Sequence, residues 1–352
     1  MPCHTIVHRQ DWFLEERYKA QAGTEGTGFL DRCFELHFNE RPFLNHFSYL
    51  FITRTTKERM RQQSNFSVLC RGHILPQEIR AKEGVFRFLE AVEQFERIMG
   101  DSGLVRLERF TTDEIAGTRH EAGLVEKYFS LSQEQTATLE DIRLGGGEVR
   151  IGDKRLSVYT LSDADDLPAA VRTDGRYEKY STDRSDCRLS FAAPVGLLLP
   201  YNHIYNQYVF IDDPAEILRH FEKAARNMRS LSRYSRANEI NRQWVEEYLN
   251  EAHSFGLIPV RCHCNVMAWS EDRDRLKNIR NDTGSALAQM GCKPRHNTVD
   301  APTLYWAGIP GGEGDFPAEE SFHTFIEQAV CLFVGETNYA SSPSPFLSLI
   351  HI

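Results

Sequence analysis

No Gly-Lys pair occurs anywhere in the 352 residues, so the chain lacks the Gly-x-x-x-x-Gly-Lys-Ser/Thr loop that cradles nucleotide phosphates. Also absent are a Gly-x-Ser-x-Gly elbow, which would present a nucleophilic serine, and a His-Glu-x-x-His helix motif for zinc. Eight cysteines are too few for a disulfide scaffold of this length and fit a reduced, cytosolic setting. No run of eighteen apolar residues is present, so no segment reads as a membrane span. The N-terminus has no apolar leader, and residues 5–8 already read as strand. Basic residues number 41 against 50 acidic ones, and the net charge of -9 argues against a general nucleic-acid binder while leaving local patches open.

What is there is centred on residues 208–255. Tyr208, Val209, Phe210 and Ile211 form a short apolar run that reads as a strand covered on both faces. Asp213 can cap a following helix, Pro214 suits its first turn, and Glu216 completes a pattern like a capping box. Ile217, Leu218, Phe221, Ala224, Ala225, Met228 and Leu231 follow at helical spacing. A second helix after Ser235 carries Ile240, Trp244, Tyr248, Leu249, Ala252 and Phe255, and Gly256 ends it. Four apolar residues followed by Asp212 and Asp213 imitate the Mg²⁺-positioning strand of a nucleotidase. Without a phosphate loop, strand end plus helix cap is the better reading, with Asp212 also spent on capping.

Elsewhere the pattern predicts strands at 47–53, 104–110, 148–151, 155–161, 259–269 and 304–308, with a hairpin turn at Gly152 and Asp153. It predicts helices at 29–38, 76–99, 112–116, 120–129, 271–290 and 317–333, leaves 11–19 ambiguous and makes the charged run 53–61 a solvated loop. Val85, Phe88, Leu89, Val92, Phe95, Ile98 and Met99 would be the buried face of the 76–99 helix, which Gly84 could split. The expected fold class is α/β, a mixed α+β arrangement. Two lobes of mixed sheet carry packed amphipathic helices, with the two-helix unit at the centre. The lobes are 1–162 and 187–346, the latter including the helical pair 214–255, and the aspartate-rich segment 163–186 is the linker.

Cys262, His263 and Cys264 sit within a strand, where the two thiols share one face and the imidazole takes the other. They cannot converge on one ion without a bulge, and Cys292 with His296 is the nearest other pair; buried structural cysteines are the better reading. Glycines 145–147 lack a following helix and lysine. The catalytic, cofactor and metal positions therefore stay empty. The residues that remain are Arg219, Lys223, Arg226, Arg229, Arg233, Arg236 and Arg242, a basic face opposed only by Glu222 and Glu239. It reads as a solvated helix face or as a contact for an acidic partner, lipid headgroups or DNA phosphates.

Long strings spread over the chain resemble the TraG family of conjugative-transposon ATPases, within the type IV secretion ATPases. They include DWFLEERY at 11–18, HFNERPFL at 37–44, SNFSVLCRGHI at 64–74, FLEAVEQFERIM at 88–99 and STDRSDCRLSFAAPVG at 181–196. NHIYNQYVFIDD at 202–213, SLSRYSRANEINRQWVEEYLNEAHSFG at 230–256, NVMAW at 265–269, PRHNTVDAPTLYWAGIPG at 294–311 and GDFPAEESFHTFIEQA at 314–329 continue the match. The resemblance implies the region ahead of the P-loop motor, with a truncated start, and Ser344, Pro345 and Phe346 leading toward that motor. ATP and Mg²⁺ would belong to the missing domain and neither to this stretch. The implied partners are conjugation channel proteins and further subunits in a homo-oligomer. The implied location is the cytoplasmic side of the membrane, peripherally bound. Residues 347–352 depart from the family, resemble a translated transposon-end adaptor, and are expected to be a non-native tail.

Overall fold

The computed structural model describes residues 3–16, 43–56, 81–136, 139–145, 148–171, 175–178, 181–231 and 234–336, with isolated positions between them. Its centre is one sheet. β1 (Cys3–Glu16) and β2 (Phe43–Thr56) form a long hairpin-like pair, and β6 (His203–Ile211) lies on the other side of β1. β7 (Pro259–Ser270) follows β6, then β5 (Lys154–Leu161), β4 (Glu148–Ile151) and β3 (Ile142–Gly145). β8 (Arg295–Asn297) pairs with β5, and β9 (Phe322–Phe325) takes the stretch of β7 that β5 leaves open. All pairings among the described residues are antiparallel.

The α/β class therefore holds, but the mixed sheet becomes an antiparallel one. Nor do residues 163–186 separate two sheets: β1 and β2 precede that segment, yet β1 pairs with β6 beyond it. The segment is itself tied down in part. Ala164–Asp166 make one turn of 3-10 helix, and the Asp166 carboxylate is buried with Arg295 Nε at 2.6 Å. The backbone N–H of Lys293 also donates to Asp166 O.

Alternation along the strands divides the core into two layers. Ile6, Trp12, Ile204, Tyr208, Phe210, Met267 and Trp269 face one side, under α3 (Leu124–Ser130), α7 (Ala301–Ala307) and Phe316. Phe13, Tyr205, Val209, Cys262, Cys264 and Val266 face the other, against α6 (Arg273–Gln289) and α8 (Ile326–Val330). β6 is buried on both faces from His203 to Phe210. The hairpin about Gly152 forms as its sequence predicts, with Gly152 at φ 53°.

Three expectations are corrected. Residues 304–307 belong to helix α7, with Pro302 in its first turn and Gly308 as its C-cap. Residues 317–333 divide into a 3-10 turn, strand β9 and helix α8, because the open edge of β7 accepts Phe322–Phe325. The ambiguous 11–16 and the start of the 53–61 charged run are strand, in β1 and β2. The helix expected at 29–38 falls mostly outside the described residues, as do 57–80 and the tail 347–352.

α1 (Lys82–Asp101) is the fourth correction. It forms, with Gly84 inside its first turn, but buries none of its residues. α2 (Thr112–Ala116) follows after the straight stretch 105–110, which pairs with no described strand.

Candidate interaction face

Two antiparallel helices carry the basic residues. α4 (Pro214–Leu231) begins where Asp213 Oδ1 accepts from the N–H of Ala215 at 3.0 Å. α5 (Arg236–Phe255) begins where Ser235 Oγ accepts from Ala237 N, and ends at Gly256 in the left-handed region. The pair is anchored at its base by rings. Tyr248 stacks on Phe325 of β9 at 4.5 Å, and Phe221 sits 4.7 Å from Tyr248 and 4.9 Å from His323. Ile217, Ala225, Leu249 and Ala252 are the buried residues of the stripe. Ile240, Trp244 and Phe255, expected on the buried face of α5, are exposed instead, Trp244 by 54% and Phe255 by 75%.

The basic residues divide into two groups. Arg242 is locked in a carboxylate fork, 2.6 Å from Glu239 and 2.7 Å from Glu246, and Arg229 reaches Glu246 at 3.4 Å. Those two are used within the hairpin. Arg219, Lys223 and Arg226 are spaced four and three apart, which puts them on one stripe. All three are exposed and make no ion pair among the described residues. Arg219 Nε donates to Ala215 O and Arg226 Nε to Glu222 O, which holds the guanidinium groups along the helix. Arg236 is exposed at the start of α5, and Arg233 lies outside the described residues. Helical arithmetic places the unpaired stripe opposite Ile217 and Ala225, away from the sheet.

The nucleotidase-like aspartates are both committed, but differently from expectation. Asp213 caps α4, whereas Asp212 caps nothing: Arg261 Nε donates to it at 3.2 Å, and His4 is its second partner. Arg261 lies over the Phe210 ring at 5.1 Å and donates to Ser321 Oγ at 3.0 Å. An acid at the end of a strand thus ties β1, β6 and β7 together.

Cys262 and Cys264 share one buried face with Cys292, and His263 points to the other, as the strand period requires. Burial pushes the Cys292 thiol up to about 12, so it is a poor nucleophile. Among the described residues no group of three His, Cys, Asp or Glu side chains could hold a metal ion.

Sequence reasoning missed a buried polar ladder beside Phe316. The Asn265 amide donates to His263 Nε2 at 3.0 Å, and Asn206 Nδ2 donates to Asn265 Oδ1 at 2.8 Å. Asn206 Oδ1 then lies 3.0 Å from both Gln10 Nε2 and His8 Nε2, and His8 Nδ1 lies 3.3 Å from the Glu313 carboxylate. Thr53 Oγ1 donates to the other Glu313 oxygen at 2.9 Å. Each amide fixes the direction of the next bond, so His8 Nε2 donates to Asn206 Oδ1. His263 Nδ1 faces the Glu320 carbonyl, and burial pushes His263 down to about 3, which keeps the ring neutral. The signal was polar residues at alternate positions of three apolar strands: 8 and 10, 206, 263 and 265. All are fully buried, so the ladder registers strands rather than meeting substrate.

No helix among the described residues is long and apolar enough to cross a membrane. No family model matches the chain, and no curated protein matches it.

Proposed function

We propose that this chain is a non-catalytic region of a conjugative-transfer ATPase of the TraG type, lying N-terminal to its motor. In this reading it supports DNA transfer or channel assembly through the outward stripe of α4. ATP hydrolysis belongs to a P-loop domain outside these 352 residues. The long strings shared with that family support the assignment. The observation that carries the role is the division of charge at 212–226. Both strand-end aspartates are consumed by structure, while Arg219, Lys223 and Arg226 face outward with no acidic partner among the described residues. A carboxylate held by an arginine is not available to Mg²⁺, and unpaired cations on a rigid helix present charge to an anionic surface.

The partners in this reading are channel proteins and further ATPase subunits at the cytoplasmic side of the membrane. A second reading, a stand-alone module that binds acidic protein or nucleic acid, is favoured by the same stripe. Both are tested with one variant, Arg219→Glu, Lys223→Glu and Arg226→Glu combined. Pull-down of channel components, DNA and anionic vesicles is measured at low and high salt. Loss of channel-component capture supports the first reading, and loss of DNA binding alone supports the second. Unchanged binding to all three removes the face from both. Calorimetry with Mg²⁺ and ATP tests the catalytic assignment, since micromolar binding by this chain would overturn it.

A further inference from the structure

We propose that residues 104–110 form an interchain β-strand, pairing antiparallel with the same residues of a second copy about Leu107. The stretch leaves α1 at Gly103, which has φ 66°, and runs back past the helix with no turn or bend over 105–110. It has the composition of a strand, Leu-Val-Arg-Leu-Glu-Arg-Phe. Yet among the described residues no backbone N–H or C=O of 105–110 has a hydrogen-bond partner. Leu104 is 88% exposed and Val105 and Phe110 are 44% exposed. A straight, unpaired strand of this kind is a template for another strand.

The charges select the occupant. In an antiparallel pair centred on Leu107, Arg106 of each copy lies opposite Glu108 of the other, and Leu104 opposite Phe110. In a parallel, in-register pair Arg106 would face Arg106 and Glu108 would face Glu108, an arrangement like charges disfavour. A one-residue slip would part the ions and turn each side chain to the wrong face. Within one chain Arg106 and Glu108 already form an ion pair, but at side-chain exposures of 88% and 69% that contact is free to exchange for the interchain one. Arg109 forks onto Glu96 of α1, and a groove of about 600 Å³ lined by Glu96, Gly100 and residues 103–107 separates the two. Leu89 and Val85 share the helix stripe of Glu96 at spacings of seven and four, and both are exposed, 45% and 42%. A second strand placed here extends a surface that already has apolar cover waiting beside it. This goes beyond the proposed function and does not depend on the α4 stripe.

The test is a charge swap read by sedimentation velocity over a range of concentrations, on the full chain. The native chain self-associates reversibly. Arg106→Glu places two pairs of like charges across the axis and weakens self-association roughly tenfold or more, and Glu108→Arg does the same. The double variant Arg106→Glu/Glu108→Arg restores it. Mixing the two single variants gives heterodimers, because both carboxylates of one chain then face guanidinium groups of the other. Both side chains are exposed, so circular dichroism of each variant is unchanged. A native chain that stays monomeric at about 100 μM, a scale set by weak specific association, overturns the proposal. So does native-like association of either single variant, or failure of both the double variant and the mixture to recover it.

Discussion

β6 and α1 are both strongly apolar on one or more sides, and they end in opposite environments. β6 is buried at all its positions from His203 to Phe210, whereas α1 buries none of its residues. β6 has β1 and β7 on its two edges and cover on both faces, so each residue from His203 to Phe210 is enclosed by several independent elements. α1 has an apolar stripe of comparable clarity, with Val85 exposed by 42%, Leu89 by 45% and Ile98 by 60%. Amphipathicity records that a face can be covered. It does not say which element covers it.

The contrast is broken most sharply by paired truncations. Phe316 is fully buried, 4.6 Å from the Tyr208 ring and 5.1 Å from that of Phe210, and it also contacts His263. Phe316→Ala is expected to cost about 3–5 kcal/mol, from lost transfer and the cavity left behind. Ile98→Ala on α1 is expected to change stability by less than about 0.5 kcal/mol. Urea unfolding of both variants measures the difference. Comparable losses at the two sites would mean that α1 is covered in solution.

The same contrast separates what is legible in the sequence from what is not. The strand at 208–211, buried through Phe210 with Ile211 exposed at its end, the hairpin at 152–153, the caps at Asp213, Ser235 and Gly256 and the opposed faces of Cys262 and His263 all follow from local rules, and they stand in the structure. Residues 304–308 and 317–333 mislead because short apolar runs fit either period, and the outcome depends on distant partners. The open edge of β7 makes a strand of 322–325. The pairing of β1 with β6 spans about two hundred residues, and no linker composition could announce it. In the basic face, charge is legible but pairing is not. Glu246 lies outside the window 219–242, yet it holds Arg229 and Arg242.

A pH titration sharpens the comparison within the buried layer. His263 accepts from Asn265 at Nε2, so protonating it in the folded state would break that bond, and burial already holds it near 3. In the unfolded chain the ring titrates near its ordinary value of about 6.5. Below that pH the unfolded state binds the extra proton and the folded state does not, so stability falls as pH falls. Between pH 7 and 5 His263 alone is expected to remove roughly 2 kcal/mol. His263→Gln should remove that share of the pH dependence while lowering stability at pH 7. Urea midpoints at pH 7, 6 and 5 for both proteins supply the test. Parallel curves for the two would show that His263 titrates normally when folded.

The smallest expected effect concerns a single atom in the same layer. Tyr208 is fully buried, stacked 4.0 Å from the His8 ring and 10° from parallel with it. Its ring packs against Phe316, yet its hydroxyl has no hydrogen-bond partner among the described residues. Burial and the Glu313 carboxylate both push that hydroxyl well above its usual pKa, so it stays neutral. A buried hydroxyl without a partner has lost its water and gained nothing in exchange, a cost of about 1–3 kcal/mol. Tyr208→Phe keeps the ring, the His8 stack and the Phe316 contact and removes only that oxygen. Small packing losses where the oxygen stood offset part of the gain. The net expectation is unchanged or higher stability, by up to about 1 kcal/mol. Most buried Tyr→Phe changes that break a hydrogen bond go the other way, which makes the sign informative. A loss of more than about 1 kcal/mol in urea unfolding would mean that the hydroxyl is bonded in solution. The ladder from His8 to His263 would then have a further member.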